Sequence, residues 1–127
     1  MSTATLQDHL DTAAQRLKTS DFAGAQGPIQ TALTLAEQAG DRVALARAKK
    51  LQADLARYQG NSHEANRLYG ELLKESAELG DKALLADTQL ALARLKMPLG
   101  EQDNAWMLYE SAGELYAALG DHGGEGQ

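Results

Sequence analysis

Three stretches of the chain end on nearly the same phrase: LAEQAGD at residues 35–41, ESAELGD at 75–81 and LYAALGD at 115–121. Aligned at a period of 40, they put Gly40, Gly80 and Gly120 in one column and Asp41, Asp81 and Asp121 in the next. Two further columns are identical in every row. Ala13, Ala53 and Ala93 form one, and Ala25, Ala65 and Ala105 the other. Four ungapped columns at a fixed period of 20 to 50 residues are the mark of a repeat array, in which each row is one supersecondary unit.

Each row reads as two helices. In the second, ALARAKKLQADLARYQ (44–59) is broken by Gly60-Asn61 and followed by HEANRLYGELLKESAEL (63–79). Ala65, Leu68, Tyr69, Leu72, Leu73 and Leu79 recur there as one helical stripe. Gly80 ends that helix, and Asp81 can cap the next. The third row repeats the plan, with Leu85, Leu92 and Leu95 in its first helix, Gly100 as its stop, and Trp106, Tyr109, Ala112, Leu115, Tyr116 and Leu119 in its second. The first row is less regular. Leu6, Leu10, Ala13 and Leu17 mark its first helix and Asp21 is a cap, but Gly24, Gly27 and Pro28 stand where the second should start. Proline lacks an amide donor and clashes one turn back, so a kink or a delayed start is expected there.

Composition agrees. Hydrophobic residues make up 43% and charged residues 24%, which is globular, while aromatics are only 5% and Ala and Leu dominate. The expectation is an all-α domain over 1–121, in repeats 1–40, 41–80 and 81–121, with a Gly-rich flexible tail at 122–127. The paired alanines are expected to let the two helices of a unit approach closely, Ala53 facing Ala65, with Tyr69 and Leu72 filling the space beside them.

At these positions the chain resembles the tetratricopeptide repeat family, whose pattern sets a small residue in the first helix, an alanine twelve residues on, and a large residue four after that. The matches are Ala13, Ala25 and Ile29; Ala53, Ala65 and Tyr69; and Ala93, Ala105 and Tyr109. Arg16, Ala56 and Lys96 stand where the family has an aromatic, the closing proline is missing, and the unit exceeds the common length of roughly 34. Longer units of this kind are similar to those of kinesin light chains and bacterial regulators. The resemblance implies six helices in a short right-handed superhelical solenoid, with a concave face that binds peptides or protein segments as in bacterial relatives, and the absence of cysteine fits a reducing cytoplasm.

The same resemblance implies that the first helix of each unit lines that face. Carried over, the positions are Gln7, Leu10, Ala14, Leu17 and Lys18; Arg47, Lys50, Asp54, Arg57 and Tyr58; and Asp87, Leu90, Arg94, Met97 and Pro98. Two readings of the basic residues stay open. In one, Arg47, Lys50, Arg57 and Arg94 make a basic groove for an acidic or C-terminal segment. In the other the face is an ordinary solvated one, with Arg57 paired to Asp54 or Asp87. The family's carboxylate clamp places asparagine four residues after lysine. Here Lys50 is followed by Asp54, which repels a carboxylate, so that role is not carried over.

The sixth helix carries a second candidate surface: Trp106, Met107, Leu108, Leu115, Tyr116 and Leu119, joined by Tyr109. The lone tryptophan and two of the four tyrosines lie here. This surface is too wide for one neighbouring helix to bury. It fits a homodimer joined through the same patch on both subunits, or a docking site for a different protein with Trp106 as anchor; the competing reading packs Trp106 within its own unit.

Chemistry is hard to place on this sequence. The three histidines, His9, His63 and His122, stand far apart, and there is no cysteine, so no metal-ligand spacing exists. No Gly-rich loop follows a strand, and the Gly-Asp pairs lack the alternating oxygens of a calcium loop. Neither catalysis nor a cofactor is expected. A net charge of −6 argues against nucleic acid. No apolar run spans a membrane, and MSTATLQDHL lacks the basic and apolar regions of a signal peptide. The expected partner is a protein or peptide, with small-molecule or signalling-peptide sensing as a further alternative.

Overall fold

A computed structural model describes the backbone of residues 5–124 and the side chains of 5–120. It contains six helices and, among the described residues, no strand: α1 (Leu6–Lys18), α2 (Phe22–Ala39), α3 (Arg42–Tyr58), α4 (Ser62–Leu79), α5 (Lys82–Lys96) and α6 (Gln102–Gly124). Among the described residues no helix is long and apolar enough to cross a membrane.

The connections repeat every 20 residues. Ser20, Gly40, Gly60, Gly80 and Gly100 all have positive φ, between 63° and 84°. At each, two amides turn back on the helix just ended. The amide of Gly40 donates to the Glu37 carbonyl at 3.1 Å and that of Asp41 to Ala36 at 3.0 Å; Ser20–Asp21, Gly60–Asn61, Gly80–Asp81 and Gly100–Glu101 do the same. Carbonyls that a helix end leaves without partners are thereby satisfied. The next residue then caps the following helix. Asp21, Asp41 and Asp81 accept from the amides of Gly24, Ala44 and Leu84 at 3.0, 3.0 and 3.1 Å, and Asn61 accepts from Glu64 at 3.4 Å.

Where the family pattern has an aromatic, this chain pairs the substitute with the cap. Arg16 bonds Asp21 at 3.2 Å and Lys96 bonds Glu101 at 3.3 Å. The middle row has Ala56, and there the cap is the neutral Asn61.

Two expectations need correction. α2 starts at Phe22 and runs through Pro28 without a delay. The residue before a proline is crowded in a helix at its amide and at its Cβ, and Gly27 removes the second of these clashes. The other concerns the flexible tail expected at 122–127, soon after Gly120. α6 continues through it to Gly124, so residues 122–124 of the expected flexible tail are helical; 125–127 lie outside the described residues. After Gly40 and Gly80 a capped apolar helix follows, and its packing holds the chain in the left-handed turn. DHGGEGQ after Gly120 has no apolar stripe to do so.

Contacts group the chain into two compact units, Met1–Leu68 and Tyr69–Gln127, with the division inside α4. In the first, α1, α2 and α3 pack on one another. Ala13 and Ala25, both fully buried, share a cluster with Leu17, Ile29 and Leu55, against which Phe22, Leu33 and Leu51 pack. Leu10, Ala32 and Ala48 form a second cluster, flanked by Leu6 and again by Leu33 and Leu51. α3 thus covers one face of α2. In the second unit α5 packs on α6. The alanine columns are 0% exposed in all three rows, as close helix approach requires.

Among the described residues, Ser20 alone occupies a left-handed turn without being glycine, a conformation that costs an L-residue roughly 1–2 kcal/mol. Ser20→Gly is expected to raise stability by roughly 0.5–1 kcal/mol after the added freedom of the unfolded chain is counted, and Gly60→Ala to lower it by about 1 kcal/mol. A Cβ on Gly60 meets nothing within 4 Å, so the loss there is backbone strain alone. Urea midpoints at constant m-value measure both.

Candidate functional site

α3 brings three of the candidate groove residues together. The Asp54 carboxylate is 6% exposed. Lys50 Nζ donates to it at 2.7 Å and the Arg57 guanidinium stands at 3.9 Å, so Asp54 is the partner Arg57 takes. A carboxylate this buried is costly unless paired, and cations held to it are held by that need. Tyr58 is also engaged. Its ring stacks on Phe22 with centroids 5.4 Å apart and planes 12° from parallel, and Arg57 lies 4.5 Å from the Tyr58 centroid. Arg47 is exposed on the same helix.

On α5, Asp87 accepts a hydrogen bond from the Tyr116 hydroxyl of α6. Leu90 is half-buried and Arg94 exposed. Burial first, and the Asp87 bond second, push the Tyr116 phenol up to about 12, while Arg94 pulls it the other way. Tyr116, a candidate interface residue by sequence, is therefore also the tie between α5 and α6.

The other candidates on α6 divide into two sets. Trp106 is 61% exposed and Met107 67%, while Leu108, Leu115 and Leu119 are half-buried. The repeat explains what this exposes. On α2 the face covered by α3 holds Ile29, 1% exposed, and Leu33, with Ala36 buried one turn beyond. The same columns on α6 hold Tyr109, Gly113 and Tyr116. Tyr109 is half-buried and Tyr116 is 38% exposed, whereas Tyr69 and Ser76, their counterparts on α4, are 0% exposed. α6 presents open the face that α2 has covered.

One cleft went unseen in the sequence. Gln26 and Gln30 of α2, Gln52 and Gln59 of α3 and Glu64 of α4 line a recess floored by Ile29, Leu55 and Leu68. Its polar groups come from three helices at no common spacing, and only the period of 40, applied to covered faces, relates it to anything else: Gln26 is the counterpart of Trp106. Among the described residues no group of three or more His, Asp or Glu is placed to hold a metal ion.

No protein-family model matches the chain, and no curated protein sequence matches it. The crystal structure of BtubC (BKLC) from P. vanneervenii, a kinesin-light-chain-like protein of TPR-like helical repeats, is similar to it, with a TM-score of 0.73 and 27% identity over 90% of this chain. The match spans 46% of BtubC, about half its length.

The Tyr116 tie has a pH signature. The phenol's ordinary value is 10.0, so the folded chain keeps a proton that the unfolded chain releases. The contribution is whole below pH 10 and is lost as pH rises from 10 to about 12. Wild type is expected to lose stability more steeply than Tyr116→Phe across that window, measured by denaturant melts at stepped pH. At pH 7 the variant should be less stable by about 1 kcal/mol, the net worth of one hydrogen bond.

Proposed function

We propose that the chain is a non-catalytic protein-interaction module of the helical-repeat type, and that its contact is made through α6. The observation that carries this is Trp106, 61% exposed in a column that is open on α2 and α4 too, beside Tyr116, 38% exposed where Ala36 of α2 and Ser76 of α4 are at most 1% exposed. A large aromatic side chain held in water on a rigid helix is the residue type that anchors protein interfaces. Met107 at 67%, Leu99 at 52% and Met97 at 39% add apolar surface on and beside the same helix. Likeness to a kinesin-light-chain-like repeat protein supports a scaffold role. The charged side chains of α3 fit this reading better than a charge-reading groove does, because Lys50 and Arg57 are already committed to Asp54.

A photo-reactive amino acid at Met107 or at Arg47 tests this in the native cytosol. The α6 position should crosslink to a discrete protein other than this chain, and the α3 position should not. Protein adducts from Arg47 alone would move the contact to α3, and none from either position would contradict an interaction role.

A further inference from the structure

The open face of α6 has a shape and a charge that define its occupant. Trp106, Tyr109, Gly113 and Tyr116 fall at i, i+3, i+7 and i+10, on one side of the helix. The Gly113 column holds Leu33 in α2 and Leu73 in α4. Leu33 packs against both clusters that join α2 to α3, the one that holds Leu55 and the one that holds Ala48. Glycine in that column removes the knob and leaves a notch with aromatic residues at its sides, and a Cβ built on Gly113 meets no atom within 4 Å. A helix laid on α6 as α3 lies on α2 would need a large apolar side chain of its own to fill it.

The rim is acidic. Between residues 102 and 120, α6 carries Asp103, Glu110 and Glu114, all exposed, and neither lysine nor arginine. Glu110 lies one turn beyond Trp106 and Asp103 one turn before it, so both border the aromatic face. This argues against a second copy in either arrangement. Two α6 helices related by a two-fold axis would set these carboxylates against their own images. Head-to-tail stacking would bring up the α1 face that corresponds to the covering face of α3. There Asp8, Asp11 and Gln15 stand in the columns of Ala48, Leu51 and Leu55, and all three are exposed. Asp8 is held in its charged form by Thr5, whose amide and hydroxyl keep its carboxyl below the usual range. That face brings more carboxylates and no apolar stripe. α3 itself shows the chemistry that fits: an apolar stripe with Arg42, Arg47, Lys49, Lys50 and Arg57 against a single acid, Asp54.

We propose that α6 docks one basic amphipathic helix of a partner protein, which takes the place on α6 that α3 takes on α2, inserts a large apolar side chain over Gly113 beside Trp106, and sets lysines or arginines against Asp103, Glu110 and Glu114. This rests on the reading of α6 as the contact surface and names the partner's chemistry.

The single tryptophan reports on it directly. The full chain is titrated with a synthetic peptide of 17 residues, the length of α3, bearing a Leu stripe with a central Phe and Lys on both flanks. The control keeps the stripe and carries Glu on the flanks. The Lys peptide should shift Trp106 emission to the blue and saturate, and the Glu peptide should not. Gly113→Leu installs the side chain the other rows already carry, so it folds; it should weaken binding about tenfold by overfilling the notch. Glu110→Lys with Glu114→Lys should weaken the Lys peptide and remove its salt dependence. Several results overturn the proposal: no shift with the Lys peptide, equal response to both peptides, binding unaffected by Gly113→Leu, or sedimentation showing a dimer that Trp106→Ala dissolves. Failure of the peptides beside a crosslink from Met107 would reject the basic helix alone; absence of both would reject α6 as a contact surface.

Discussion

The fold depends on a backbone constraint met five times among the described residues: a residue in the left-handed region, followed in four of the five by a residue whose side chain accepts an amide of the next helix. Between them, these two satisfy the carbonyls left over at one helix end and the amides left over at the next start. Because the constraint returns every 20 residues, successive helices are cut to similar lengths and the alanine columns stay in step. Those alanines are buried in every row. Had one turn drifted by a residue, the small side chains would rotate by about 100° from the contact they serve.

Much of this was legible in the sequence, because glycine and aspartate at turns, and alanine at close contacts, are required by residue type. The period of 40, the six helices and the open aromatic helix follow from it. Four things were not. Ser20 carries no signal of its left-handed conformation, since serine suits many turns, and only the 20-residue step marks it. Pro28 reads as a breaker unless Gly27 before it is weighed. The Lys50–Asp54–Arg57 group stays open in sequence between a basic groove and a solvated face, because burial of Asp54 depends on packing and not on spacing. The glutamine-lined cleft was hidden for a similar reason, since its side chains converge from three helices.

The internal repeat also serves as a physical reference. α2 shows what a second helix looks like when the next helix covers it: Ile29 and Ala36 buried, Leu33 half-buried, and Gln26 at the exposed edge. α6 departs from that pattern in the same columns, with tryptophan and tyrosine for glutamine, isoleucine and alanine, and with glycine for leucine. Tyr116 serves both sides, tying α6 to Asp87 while its ring edges the open face.

Trp106 stands in water in the free chain, on a face that copies of the chain do not cover. Its fluorescence emission, followed from low micromolar to near-millimolar protein with acrylamide quenching at each step, tests this most directly. The account predicts emission and quenching close to those of free indole, unchanged with concentration. Blue-shifted, protected emission at the lowest concentration would place Trp106 within its own unit, and a shift that grows with concentration would place a second copy upon it.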